Sequence, residues 1–151
     1  MHRLCILGNS HVACLKQAWG DMAESNPQIS INFFAQAGNE GLGTVYVDGQ
    51  HLTADSDHTR KALIATYGKY RLDILDYDSF VIFGAKSRTF WPSDTFYSSA
   101  CLDAAIEDLT IHTSAHHVLS CLREVTDAPI CIGHTPLVAA RNIRERAVSE
   151  T

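Results

Sequence analysis

Leu4-Cys5-Ile6-Leu7-Gly8-Asn9-Ser10-His11-Val12 is the stretch that sets the fold class. Four apolar residues in a row, with no polar interruption, are what a strand buried on both faces requires. The run stops at Gly8-Asn9, and Val12, Leu15, Trp19 and Met22 then follow at helical spacing. A buried strand that turns through a glycine straight into a helix opens a parallel α/β unit.

The rest of the chain repeats that grammar. Asn26-Pro27 ends the first helix, and residues 29–35 read as a second strand with Ile29, Ile31 and Phe33 alternating. A glycine-rich turn, 38–43, precedes a small hairpin over 44–53, in which Val45-Tyr46-Val47 and His51-Leu52-Thr53 flank the turn dipeptide Asp48-Gly49. Residues 59–67 read as a helix, 79–84 as a central strand, 87–95 as an aromatic loop, 97–125 as one long helix or two short ones, and 129–133 as another buried strand. After Pro136 a charged tail carries no further strand pattern. The expectation is one α/β domain over 1–151: a three-layer α/β/α sandwich of flavodoxin-like type, with four mostly parallel strands and a hairpin.

Composition narrows the partners. The net charge is −5 and no block of Lys or Arg occurs, so the basic face that nucleic acid demands is missing. No apolar run approaches the roughly 20 residues that span a bilayer, and the N-terminal run is too short for a signal peptide. Five cysteines, Cys5, Cys14, Cys101, Cys121 and Cys131, form no C-x-x-C pair and read as reduced, buried thiols. Together these features predict a cytoplasmic protein. Neither phosphate-binding glycine motif follows the first strand, which argues against a nucleotide module and leaves no cofactor expected.

Ser10 is the candidate nucleophile. At the carboxyl end of a central strand its hydroxyl would stand where active sites of open parallel sheets form, beside amides at the positive end of a helix dipole. Such amides can hold an oxyanion. A serine here is also a favoured helix N-cap, and capping alone would account for it.

The segment 5–13 resembles the first motif of the SGNH (GDSL-like) hydrolases, in its Gly-Asn-Ser-His variant. That resemblance implies a serine esterase or acyl transferase, with an acylated or acetylated sugar among the substrates it suggests. By it Ser10 is the nucleophile, and the oxyanion hole is built from Ser10, Gly38 (Gly41 as alternate) and position 86. Lys86 stands there in place of the family's asparagine, a flexible point donor instead of a fixed amide. Asn9, His11, Gly84 and Trp91 fall where substrate would be touched. The family's C-terminal Asp-x-x-His is not matched around His134, since residue 131 is Cys. Asp48-Gly49-Gln50-His51 and Asp55-Ser56-Asp57-His58 fit the pattern by chance, too early in the chain. The sequence therefore reads as a catalytic module whose last strand and base-bearing loop lie beyond residue 151.

Other clusters have plainer readings. His112, His116 and His117 share a stripe with Leu102, Ala105, Leu109 and Leu119, which makes them partly buried or interface residues and not metal ligands. The aromatic loop 88–97 is either a wall over the substrate or a plug at the end of the sheet. An uncovered sheet edge would drive the chain into a homo-oligomer. The rival to the hydrolase is a non-catalytic binding domain that keeps the fold and its cleft.

Overall fold

A computed structural model describes residues 1–37, 41–85, 98–111 and 113–134. The chain is mixed α/β, with a four-stranded parallel sheet and a separate three-stranded antiparallel sheet. The parallel sheet is built from β1 (His2–Gly8), β2 (Ile29–Ala35), β6 (Ser79–Ala85) and β7 (Ile130–His134), in the order β2-β1-β6-β7. The antiparallel sheet joins β3 (Val45–Asp48), β4 (His51–Ala54) and β5 (Arg71–Asp73). Among the described residues the α-helices are α1 (Val12–Met22), α2 (Asp57–Tyr67), α3 (Ser99–Thr110) and α4 (Ser114–Arg123).

Alternation along β1 and β2 splits the apolar residues between the two faces of the parallel sheet. Ile6, Phe33 and Ala35 pack with Val12, Leu15 and Trp19 of α1. Cys5, Leu7, Phe34, Phe80 and Ile82 pack with Leu63 of α2, with Ala115, Val118 and Leu122 of α4, and with Val45 and Leu52 of the small sheet. This second cluster is the larger core. Each fully buried leucine in it is worth roughly 1.5–3 kcal/mol of transfer free energy.

Local chemistry sets the helix starts. Ser56, Ser98 and Thr113 each accept a backbone N–H with the side-chain oxygen, capping α2, α3 and α4. The 97–125 segment is thus two helices, broken where Thr113 begins a new one.

Several expectations are corrected here. The hairpin is not a lone excursion, because β5 extends it to three strands. Met22 ends α1 more than half exposed, so the apolar stripe of that helix stops at Trp19. The stripe expected along 102–119 does not form one buried face: Leu102 and Ile106 are exposed, and α4 buries Ala115, Val118, Cys121 and Leu122 instead. Of the five cysteines only Cys5 and Cys121 are buried, while Cys14, Cys101 and Cys131 are exposed. Among the described residues no helix is long and apolar enough to cross a membrane.

Candidate active site

The strand order sends the chain from β1 outward to β2 on one side and later to β6 on the other. The carboxyl ends of β1 and β6 therefore flank a topological switch point, where open α/β sheets form their ligand crevices. A small crevice lies there, with about 20 Å³ of interior space, room for roughly one water molecule. Gly8 and Asn9 come from the end of β1, Ile82, Phe83 and Gly84 from β6, and Gly41 and Leu42 from the loop before β3. Ser114, Ala115 and Val118 on the first turns of α4 complete it.

Two glycines make the approach possible. A Cβ on Gly8 would run into the Phe83 carbonyl and into Val12 Cγ2 at 2.9 Å. Gly84 holds φ at +90°, a conformation L side chains rarely adopt, and a Cβ there would meet the Asn9 side chain. Into that space the Asn9 amide donates from Nδ2 to the Gly84 carbonyl at 2.8 Å. Asn9 Oδ1 accepts the His11 backbone N–H at 3.0 Å and faces His11 Nδ1 at 2.9 Å. Because Oδ1 can only accept, the His11 proton sits on Nδ1, which leaves Nε2 as its basic nitrogen.

Ser10 is exposed in the turn between β1 and α1. Its carbonyl accepts the Ala13 N–H at 3.2 Å, while its hydroxyl has no hydrogen bond among the described residues. Helix α1 starts after His11 with no side-chain cap, and the Val12 N–H bonds the Asn9 carbonyl at 3.1 Å. Ser10 itself does not line the crevice; its neighbour Asn9 does. The site residues expected from the sequence are thus partly gathered: Asn9 and Gly84 meet directly, and Ser10 and His11 stand beside them. Gly38, Lys86, Trp91, His112 and the whole aromatic loop 88–97 lie outside the described residues.

The other histidines are accounted for separately. His51 sits between Arg71 Nη2 at 3.2 Å and Asp73 Oδ2 at 3.7 Å, on the hairpin whose Gln50 carbonyl accepts from Ile74 N. His117 Nε2 donates to the Val45 carbonyl at 2.6 Å, tying α4 to the small sheet. His134 ends β7 opposite Ala85, at the same carboxyl edge as Ser10. Among the described residues no group of three or more His, Cys, Asp or Glu is arranged to hold a metal ion.

Sequence reasoning missed the α4 wall of the crevice. Its signal was present in Thr113, an N-cap residue placed directly before Ala115 and Val118 at helical spacing.

No protein family, no curated protein and no solved structure matches this chain. The site has to be judged on its own geometry.

Proposed function

We propose that the chain is a serine-dependent ester hydrolase or acyl transferase of the SGNH type, with Ser10 as nucleophile and a small acyl or saccharide ester as substrate. The observation that carries this reading is the position of Ser10. It is an exposed serine, its hydroxyl unbonded among the described residues, in the turn from an inner parallel strand to a helix at the switch point of the sheet. Apolar cover on both faces of the parallel sheet supports the finer description as a flavodoxin-like three-layer sandwich.

In this reaction Ser10 Oγ attacks the ester carbonyl and its proton leaves to an imidazole. His11 is the neighbouring imidazole with a basic Nε2, and we assign it that transfer through one water. The Ser10 N–H, at the positive end of α1, stabilises the developing oxyanion. Gly38 and Lys86 remain the further donors that the resemblance implies. The test is turnover of short aryl esters by the chain and by its Ser10→Ala variant, with a marked fall in the variant as the expected result.

One observation favours the rival reading, a binding domain. Since Ser10 does not line the crevice, a ligand could sit on Asn9, Gly84 and Ser114 without meeting the hydroxyl. Equal ligand affinity in the chain and in Ser10→Ala, with ester turnover unchanged by the substitution, would select that reading.

A further inference from the structure

At the opposite end of the parallel sheet, β1 begins at His2 and the adjoining β6 begins at Ser79. Parallel pairing of these neighbours brings residues 77 apart in sequence into contact, with His2 Nε2 and Ser79 Oγ separated by 2.8 Å. Asp78 Oδ2 lies 3.9 Å from the other ring nitrogen, Nδ1. The Asp78 carboxylate is itself fixed, because Oδ2 accepts the Arg3 backbone N–H at 2.6 Å and Asp78 N donates to the Arg3 carbonyl at 2.8 Å.

We propose that Ser79, His2 and Asp78 form a second acyl-accepting site, independent of Ser10, that takes small activated esters. A serine that donates to Nε2 needs that nitrogen unprotonated, which puts the imidazole proton on Nδ1, toward Asp78. This is the division of roles by which a serine is activated: hydroxyl to base, base to carboxylate. His2 and Asp78 are each about half exposed, so the site opens to solvent and suits an unencumbered acyl donor. In the step itself Ser79 Oγ forms a bond to the carbonyl carbon as its proton passes to His2 Nε2. The bond to the aryloxide breaks, the leaving oxygen takes the imidazolium proton or releases as the anion, and Ser79 keeps the acyl group. Water, deprotonated by the same nitrogen, then frees the acid and restores the serine.

Ser79 is the nucleophile and His2 the base, while Asp78 is a positioning residue. Charged groups near this end include Arg3 and Asp76, which pair at 3.1 Å, and Arg123, which bonds the carbonyls of Thr126 and Ala128 just before β7.

The experiment incubates the chain with p-nitrophenyl acetate and locates acetylated serines by peptide mass spectrometry, with circular dichroism confirming that each variant is folded. Ser79 is expected to acetylate faster than the exposed Ser99 and Ser114. His2→Gln should slow it about a hundredfold, the lower end of what a positioned base contributes. Asp78→Asn should slow acetylation without abolishing it and Asp78→Glu should restore it, because Asp78 positions the imidazole and does not itself take the proton. Acetylation of Ser79 no faster than of Ser99, or a rate indifferent to His2→Gln, overturns the proposal. Ser10 lies on a different peptide, so its fate is read separately from that of Ser79.

Discussion

The Asn9 side chain donates to the Gly84 carbonyl across 2.8 Å and so fastens the β1–α1 turn to the end of β6. Both functional atoms of that amide are in use, since Oδ1 serves His11. Replacing Asn9 by Asp keeps the shape but removes the only donor and sets a carboxylate against a carbonyl. Asn9→Asp is expected to lower stability by about 1–3 kcal/mol, the cost of an unsatisfied part-buried group. Asn9→Ala should cost no more than Asn9→Asp. Urea midpoints measure both, and an Asn9→Asp protein as stable as the parent would mean that this bond does not hold the turn.

Gly84→Ala should be worse than a surface change. The positive φ and the Asn9 side chain both oppose a Cβ there, and strain of this kind costs of order 1–3 kcal/mol. Because the displaced group is Asn9, Ser10-dependent turnover should fall together with the thermal midpoint. An unaltered midpoint would show that the loop moves aside freely.

The thiols divide by exposure. Cys14, Cys101 and Cys131 should react promptly with a disulfide reagent in the native protein, and Cys5 and Cys121 only on unfolding. Burial pushes the Cys5 thiol well above its ordinary range, and burial together with the Tyr67 hydroxyl does the same for Tyr77. A raised folded pKa means the native state keeps its proton. The associated stability is therefore complete below the unfolded thiol value, about 8.5, and declines as pH rises past it. The fall should approach about 1.4 kcal/mol per pH unit for each such group. The Tyr77 contribution falls only above the unfolded phenol value, about 10, so stability flat from pH 8 to 10 would contradict the burial of Cys5.

Self-association is expected from two exposed apolar features, Leu102 and Ile106 on α3 and Ile132 on β7, the outer strand among those described. The occupant is a second copy of the chain. Light scattering should report a dimer or larger at pH 8, and weakening at pH 5.5 would place His116 at the contact. A monomer at both values rules out the assembly, and a dimer indifferent to pH removes only the histidine.

Much of the parallel sheet was legible because its strands are short apolar runs bounded by turns. Residues 4–7, 29–35 and 79–84 announce themselves by hydrophobicity alone. β5 did not, since Arg71-Leu72-Asp73 buries a single leucine and owes its strand state to pairing with β4. The exposed face of α3 was equally hidden, because helical spacing reports which residues share a face, not whether anything covers it. At the site, Ser10 could be found from its place after a buried strand. The clamp between Asn9 and Gly84 could not, for it joins residues 75 apart that only the strand order makes neighbours. The pairing of His2 with Ser79 escaped for the same reason.

The central claim, that Ser10 is the nucleophile of an esterase, is tested most directly by aryl acetate turnover in a Ser79→Ala background, which removes the other serine proposed to react. In that background Ser10→Ala should bring turnover down to the buffer rate, because the variant has no hydroxyl to form the acyl-enzyme. Turnover unchanged by Ser10→Ala would contradict the account.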